Sequence, residues 1–152
     1  TLSLDLSNRY LEWAAANLAL NDLAGPAHQF LRADCLRWLA EPARGADRQF
    51  DLILCDPPTF SNSKKMSDTL DLQRDHGTLL RGLLKRLAPD GRLYFSTNRR
   101  RFTFDKTLAE DCTVSDITDK TLDEDFQRAR RAHRCWLLTH RETRSAGGSE
   151  GR

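Results

Sequence analysis

The chain has 152 residues, of which 30% are charged and 39% hydrophobic, and its formal net charge is +2. This composition excludes collagen, a low-complexity chain and a disulfide-stapled miniprotein, and no apolar run approaches the roughly 18 residues that a membrane-spanning helix needs. Roughly 100–200 residues are typical of one domain, so we expect a domain at residues 1–142 and a disordered tail at residues 143–152.

A strand and a helix open the chain. Residues 2–5 predict a short strand that ends in Asp5. Ser7 is expected to cap the next helix, because its hydroxyl can accept a hydrogen bond from a backbone N–H of the first turn. Apolar residues between Leu11 and Leu18 recur at helical spacing, and Gly-Pro at positions 25–26 ends this region.

Two further strands also end in an acidic residue. Residues 28–33 predict a strand that is followed by Asp34 and a short helix. Residues 50–55 form a nearly continuous apolar run, which is typical of a strand covered on both faces. That strand is followed by Asp56 and two prolines, and a polar loop is expected at residues 61–68.

The second half of the chain predicts one amphipathic helix and three strands. Leucines recur at helical spacing between Leu72 and Leu87, and His76 on this helix is either an RNA contact or a packing residue. Pro89, Asp90 and Gly91 predict a turn that ends the helix. The elements expected after this turn are a strand at residues 92–97, a short helix at 104–110, a strand at 113–118, a charged, helical or irregular segment at 122–131, and a last strand at 134–140.

The alternation of strands and helices predicts an α/β fold with a mostly parallel sheet. Because ligands bind at the carboxyl ends of the strands in such sheets, we expect Asp5, Asp34 and Asp56 to meet at one edge. Asp5 either accepts hydrogen bonds from ribose hydroxyls or caps a helix. Asp34 either accepts from an adenine amino group, beside the Cys35 backbone N–H, or caps a helix. Leu6 packs either on an adenine face or in the core.

The turn after the third predicted strand is the most specific motif, and it reads Asp56-Pro57-Pro58-Thr59-Phe60. The two prolines stiffen the turn, so Asp56 and the Pro57 carbonyl offer acceptors at a fixed place. Phe60 offers a ring on which a flipped base can stack, a contact worth about 1–3 kcal/mol in nucleic-acid binders. The alternative is a rigid turn without chemistry.

Basic residues concentrate in the second part of the chain. Residues 1–60 carry five basic and eight acidic side chains, a net charge of −3, whereas residues 61–152 carry 19 and 14, a net charge of +5. Such clusters either neutralise nucleic-acid phosphates or form a solvated face. The clusters are Lys64 and Lys65, then Arg99, Arg100 and Arg101, and then Arg128, Arg130, Arg131 and Arg134.

The four cysteines, Cys35, Cys55, Cys112 and Cys135, form no CxxC pair. We therefore expect free, mostly buried thiols in a cytoplasmic protein. A zinc site built from Cys112, His133 and Cys135 has poor ligand spacing, and we expect no metal.

The proline turn resembles the [DN]PP[YFW] motif of class I S-adenosylmethionine-dependent methyltransferases. More narrowly, residues 1–140 are similar to the C-terminal methyltransferase domain of the bacterial RlmKL family, through the strings DPPTFSNSKKM, LDLQRDH, FSTNRRRF and DFQRARRAHRCWLL. The resemblance implies a Rossmann-like sheet, mostly parallel with an antiparallel last strand, and S-adenosylmethionine as cofactor. It also implies methylation of 23S ribosomal RNA. In proteins of this family, the C-terminal half makes 7-methylguanosine and the N-terminal half makes N2-methylguanosine.

The resemblance carries roles over by position. It implies that Asp5 binds the cofactor ribose with Leu6 beside it, and that Asp34 and Cys35 lie at the adenine. The residues that it places beside the transferring methyl group, and thus in a catalytic position, are Asp56, Pro57, Pro58 and Thr59.

One departure from the family pattern is the absence of a Gly-rich motif after a first strand. The chain opens at Thr1 in what would be the second strand, so we expect an upstream part of the same polypeptide to supply that strand and its glycine loop. The first strand is central in this fold, and its removal leaves unpaired backbone groups that cost about 1–3 kcal/mol each if dry. We therefore expect the isolated chain to be marginally stable, to bind cofactor poorly and to be inactive.

Guanine N7 has a free lone pair and no proton, so its methylation needs alignment rather than a general base. Carbon methylation needs a cysteine thiolate, and the stretch Phe95-Ser96-Thr97-Asn98 offers none. The alternatives are a 5-methylcytosine or N2-guanine ribosomal RNA methyltransferase and a non-catalytic RNA-binding fragment; neither a membrane nor DNA is an expected partner. The residues expected to contact RNA are Phe60, Lys64, Lys65, Asn98, Arg99, Arg100 and Arg101.

Overall fold

The computed structural model describes residues 1–41, 49–61, 70–122, 126 and 133–141, and for Phe60 and Ser61 it describes the backbone alone. The predicted tail, residues 62–68 of the predicted loop and most of the predicted segment 122–131 lie outside the described residues. The elements in chain order are β1 (Leu2–Asp5), α1 (Asn8–Leu20), β2 (Gln29–Arg32), α2 (Cys35–Ala40), β3 (Phe50–Cys55), β4 (Phe60–Ser61), β5 (Leu70–Asp71), α3 (Leu72–Leu84), β6 (Leu87–Thr97), α4 (Leu108–Asp111), β7 (Thr113–Asp116), α5 (Thr118–Thr121) and β8 (Arg134–Thr139).

β1 and β2 form a parallel pair that α1 connects. The apolar residues whose spacing predicts this helix are also its half-buried residues, namely Leu11, Ala14, Ala15 and Leu18. Ser7 occupies the N-cap position, but its hydroxyl makes no capping bond. The prediction of a Ser7 hydroxyl cap is therefore wrong; instead, the Asp5 side chain reaches forward and accepts the Ser7 backbone N–H at 2.7 Å, which fixes the chain at the start of α1.

The second sheet has the strand order β3-β6-β8-β7. β3 is parallel to β6, and β8 is antiparallel to both β6 and β7. β3, β6 and β7 therefore run in one direction and β8 in the other, as the sequence predicts. A two-stranded hairpin of β4 and β5 stands apart from this sheet and leads directly into α3.

The turn predicted at residues 89–91 lies inside β6 rather than before it. Phe50 is opposite Leu87 and Leu52 is opposite Arg92, so residues 88–91 bulge out where β3 provides a single residue. The proline and glycine chemistry indicates the change of direction correctly. The strand begins five residues earlier than expected because Leu87 already pairs with β3.

The core lies between α3 and the second sheet. Leu79, Leu80 and Leu83 on α3 pack with Phe95 on β6 and with the residues around Trp136 on β8. A buried leucine face on one helix against one face of a sheet is the two-layer arrangement that the 3.6-residue spacing predicts.

His76 is 3% exposed and belongs to this core, which fits the packing interpretation. Its ring lies 4.7 Å from the ring of Phe102, centroid to centroid. Its Nδ1 lies 3.0 Å from the Leu72 carbonyl oxygen, and its Nε2 accepts the Asp105 backbone N–H at 2.9 Å. Both ring nitrogens are thus engaged inside the protein.

Among the described residues, no hydrogen-bonded ladder joins the β1–β2 pair to the four-stranded sheet. Ile53 and Cys55 on β3 pack against the core, whereas Leu52 and Leu54, which point the other way, are 57% and 76% exposed. The prediction that this strand is covered on both faces is therefore wrong for this chain, because α3 and α2 cover one face only.

No helix in the described ranges combines the length and apolar character needed to cross a membrane.

Candidate active site

One cavity of about 1450 Å³ runs along the facing edges of β1 and β3, from Leu2 and Phe50 to the carboxyl ends of these strands, where it also reaches Ala33 and Asp34 after β2. Asp5, Asp34 and Asp56 all line it, in the arrangement expected for acids that follow parallel strands. The other predicted residues that line the same cavity are Leu6, Cys35, Pro57, Pro58, Thr59 and Asn98.

Asp5 and Asp34 each use one carboxylate oxygen to fix the local backbone. Asp5 Oδ1 accepts the N–H of Ser7, and Asp34 Oδ1 accepts the N–H of Leu36 at 3.0 Å and of Arg37 at 3.2 Å. Within the described part of the chain, Oδ2 of either residue makes no hydrogen bond. Helix capping and ligand binding, which the sequence presents as alternatives, are compatible in one side chain.

Asp56 follows the same pattern, with a side chain as its partner. Its Oδ1 accepts a hydrogen bond from Ser96 Oγ at 2.8 Å. Three residues further on, Thr59 Oγ1 donates to Asn98 Oδ1 at 3.2 Å. The proline turn is thus joined at both ends to the carboxyl end of the neighbouring strand β6.

The segment after the turn is held by Asp71. Leu72 donates its backbone N–H to the Thr59 carbonyl at 3.3 Å, and Asp71 is opposite Phe60 in the β4–β5 hairpin. Asp71 Oδ1 lies 2.8 Å from Arg99 Nη1. The Arg99 guanidinium, together with backbone N–H groups of α3, holds the pKa of Asp71 below its ordinary value.

The predicted basic contacts differ in their surroundings. Arg100 and Arg101 are exposed and make no hydrogen bond or ion pair within the described ranges, at the same end of β6 as Asn98. Arg134 contacts Asp116 at 3.3 Å and stacks on Trp136. Outside the described residues lie Lys64, Lys65, Arg128, Arg130 and Arg131, together with the side chain of Phe60.

All four cysteines are free thiols, as expected. Burial, with a smaller effect of the Asp34 charge, raises the pKa of Cys35 to about 11. Burial also raises the pKa of the Cys55 thiol, and Cys35 and Asp56 add to that shift. Both cavity thiols are therefore protonated near neutral pH and are poor nucleophiles. Within the described ranges, no group of three His, Cys, Asp or Glu side chains is placed to hold a metal ion.

Sequence reasoning missed three residues at this site. Ser96 contacts Asp56, which lies 40 positions earlier in the chain, and Asp71 contacts Arg99, which lies 28 positions later. No local sequence pattern indicates contacts over such separations. His133 also lines the cavity, and its Nε2 lies 2.9 Å from Thr121 Oγ1. The order of the strands places β6 beside β3 and β8 beside β6, so the topology of the sheet is the signal that indicates Ser96 and His133. Asp71 lies in the separate β4–β5 hairpin, and the strand order does not indicate it.

No protein-family model matches the chain. The chain is 50% identical over 145 residues to the ribosomal RNA large subunit methyltransferase K/L of Allochromatium vinosum, a match that covers 95% of this chain and 20% of that protein. It is 49% identical over 140 residues to the protein of the same name from Shewanella sp. strain MR-4, with 91% and 20% covered. The predicted resemblance is confirmed, and the chain spans about a fifth of the length of these relatives.

Solved structures show the same fold at low identity. The crystal structure of SMU.776 in complex with SAH has a TM-score of 0.67 and 20% identity, and covers 91% of this chain and 38% of that one. The SAM-dependent methyltransferase from Agrobacterium tumefaciens has a TM-score of 0.67 and 16% identity, with 91% and 48% covered. The class I methyltransferase fold that the sequence predicts is therefore confirmed.

Proposed function

We propose that this chain is part of a cytoplasmic enzyme that transfers the methyl group of S-adenosylmethionine to N7 of a guanine in 23S ribosomal RNA. The observation that carries the proposal is the convergence of Asp5, Asp34 and the turn at residues 56–59 on one cavity. The names of the K/L relatives support ribosomal RNA as substrate, and the SAH in SMU.776 supports the cofactor.

The polar groups at the cavity fit S-adenosylmethionine. Asp5 Oδ2 is an acceptor for the ribose hydroxyls, while Oδ1 remains on Ser7. Asp34 Oδ2 is an acceptor for the adenine amino group, and the Cys35 backbone N–H, at the first position of α2, is a donor for a ring nitrogen. Leu6 offers an apolar contact to the adenine. When bound, the cofactor supplies an electrophilic methyl group on a sulfonium.

The turn at residues 56–59 fits the positioning of a planar acceptor. Asp56 and Thr59 are held by Ser96, near the end of β6, and by Asn98, just after it, so their oxygens are fixed by bonds that do not involve the substrate. Guanine N7 needs alignment with the methyl group and no proton acceptor, and alignment alone can supply about 7–11 kcal/mol of the barrier. The raised thiol pKa values of Cys35 and Cys55 disfavour the 5-methylcytosine alternative, which needs a thiolate.

The proposal includes an intramolecular partner. We infer that the polypeptide of this chain supplies a strand between β1 and β3 and a helix over the exposed Leu52 and Leu54. Among the described residues, the facing edges of β1 and β3 have no strand partner, and Leu52 and Leu54 on one face of β3 are exposed; both observations support this inference. The match covers 20% of the Allochromatium vinosum relative, so the rest of such a polypeptide is long enough to contain a further strand and helix.

Nucleoside analysis tests the function. The full-length polypeptide that contains this chain is incubated with methyl-labelled S-adenosylmethionine and 23S ribosomal RNA that lacks the modification, and the digested RNA is analysed. The expected product is 7-methylguanosine. Because the resemblance assigns N2-methylguanosine to the other half of the polypeptide, that product counts against the proposal only if Asp5→Ala or Asp34→Ala abolishes it while 7-methylguanosine persists. Such a loss, or the appearance of 5-methylcytidine, would favour the alternative methyltransferases, and absence of cofactor binding in isothermal titration would favour a non-catalytic RNA-binding role.

A further inference from the structure

Three consecutive arginines follow β6, and the structure distinguishes the first from the other two. The Arg99 side chain is 27% exposed and its Nη1 lies 2.8 Å from Asp71 Oδ1. Its backbone N–H donates to Thr97 Oγ1 at 3.2 Å, and Thr97 is buried. Arg100 and Arg101 are exposed and have no such contact within the described ranges. Arg99 is therefore tied to the protein at both its backbone and its side chain.

Asp71 is a junction between three elements. Its Oδ1 accepts the N–H groups of Gln73 at 2.8 Å and Arg74 at 3.4 Å, which caps α3. It is also the β5 partner of Phe60, and the N–H of the next residue, Leu72, reaches the Thr59 carbonyl. A displacement of Asp71 is thus transmitted to the residue that ends the proline turn.

We propose that Arg99 is a positioning residue, which acts through Asp71 to hold the turn at residues 56–59 against the carboxyl end of β6. This inference rests on the proposed function. The Asp71–Arg99 ion pair adds a third cross-link to the two that join the turn to the end of β6, Asp56 to Ser96 and Thr59 to Asn98. The first two act on the turn itself, whereas the third holds the β4–β5 hairpin, whose neighbour Leu72 contacts the Thr59 carbonyl, and so restrains the Thr59 end of the turn from a second side. Arg99 has further donors, so a phosphate contact by the same side chain is compatible with this role.

The kinetic consequence differs from that of a phosphate contact. A misplaced turn misaligns the acceptor base, and misplacement by about 1 Å can cost about 100-fold in rate. A lost phosphate contact weakens RNA binding at all salt concentrations and reduces the salt dependence of binding. We therefore expect Arg99 variants to lower kcat, and Arg100 or Arg101 variants to raise KM for RNA.

The test uses Arg99→Gln, Asp71→Asn and their double variant in the full-length polypeptide. Asn at position 71 keeps an oxygen that can cap α3, so it removes the charge without removing the cap. Each single variant should lower kcat about 10-fold or more with KM for RNA close to wild type, and the double variant should be no worse than the poorer single variant. Arg99→Lys should recover most of the rate, because the contact is a single N···O pair. Arg92→Gln, at an exposed arginine within β6, should leave both constants unchanged.

Hydrogen exchange provides a readout that is independent of methyl transfer. The Leu72 amide, which donates to the Thr59 carbonyl, should exchange faster in Arg99→Gln and Asp71→Asn than in the wild type. Additive kcat effects in the double variant, or an Arg99→Gln variant that only raises KM and reduces the salt slope while Asp71→Asn is silent, would overturn the proposal. If the wild-type polypeptide methylates no RNA, the proposed function fails, and the exchange of Leu72 still decides whether Arg99 holds the turn.

Discussion

The Ser96 hydroxyl donates a hydrogen bond to the Asp56 carboxylate, with Oγ and Oδ1 2.8 Å apart. Cys55 and Phe95 are opposite each other in the register of β3 and β6, so the next residue on each strand meets its neighbour at the carboxyl end. The bond fixes Oδ1 of Asp56 and, because the carboxylate is planar and rigid, it also limits the positions that Oδ2 can take. Asp56 is therefore oriented by the sheet before any ligand binds.

Replacing Ser96 by alanine is expected to slow methyl transfer without unfolding the protein. A hydrogen bond to a charged group contributes about 1.5–3 kcal/mol, and because this one is exposed to solvent we expect the lower end, which corresponds to a rate about 10-fold lower. Single-turnover transfer to RNA measures the effect. Ser96→Thr, which keeps the hydroxyl, should retain most of the rate, and Ser115→Ala, at an exposed serine on β7, should retain all of it. A Ser96→Ala enzyme as fast as the wild type would show that orienting Asp56 is unimportant.

Asp34 allows helix capping to be separated from cofactor binding. Asp34→Asn keeps an oxygen for the N–H groups of Leu36 and Arg37, but replaces the second acceptor by an amide that repels the adenine amino group. In the full-length polypeptide, we expect this variant to retain its thermal stability and to bind S-adenosylmethionine at this site about 10-fold more weakly, about 1.4 kcal/mol, as measured by isothermal titration.

Asp34→Ala should lose the affinity and also about 1 kcal/mol of stability, because the cap is removed. Asp90→Asn, at an exposed position outside the cavity, is the matched control. If Asp34→Asn binds the cofactor as well as the wild type does, Asp34 serves α2 alone and the adenine assignment is wrong.

Local patterns in the sequence predict the strand ends well and the contacts between strands poorly. Acids that follow apolar runs predict the convergence of Asp5, Asp34 and Asp56, since parallel strands end at a common edge. The same patterns do not reveal that Asp71 and Arg99 pair, because that contact depends on the placement of the β4–β5 hairpin beside β6. Sequence spacing carries no information about such a placement.

The apolar run of β3 shows a second limit of local reasoning. It predicts that both faces of the strand are buried in the folded protein, but it cannot indicate which part of a polypeptide supplies the cover. In the structure, Ile53 is packed and Leu54 is exposed, although both belong to the same run. The apolar pattern thus indicates that both faces of β3 need cover, and the described residues cover only the face that carries Ile53.

Acid is expected to destabilise the fold through Asp105. Hydrogen bonds from the hydroxyl and the N–H of Thr107, together with Arg81, hold the pKa of Asp105 below its ordinary value. Because the pKa is lower in the folded than in the unfolded state, this carboxylate stabilises the fold above its unfolded pKa, and the contribution is lost as pH falls through the folded pKa.

The measurement is the free energy of unfolding as a function of pH, for the wild type and for Asp105→Asn. The variant should be less stable than the wild type near neutral pH, and the difference should shrink below about pH 4. A constant difference across this range would assign the loss to packing rather than to the charge. Asp90→Asn, at an exposed side chain that makes no hydrogen bond or ion pair within the described ranges, should follow the wild type throughout.

The uncovered face of β3 gives a prediction about the whole polypeptide. Leu54 is 76% exposed in this chain, and burial of a leucine side chain contributes about 1.5–3 kcal/mol. If another part of the polypeptide covers this face, Leu54→Glu should lower the thermal stability of the full-length protein strongly, because a charge would be buried without a partner. Leu20→Glu, at an exposed leucine that does not line the cavity, should change it little. Equal and small effects of both substitutions would mean that the face of β3 stays open to solvent, and the inferred strand and helix would have to be abandoned.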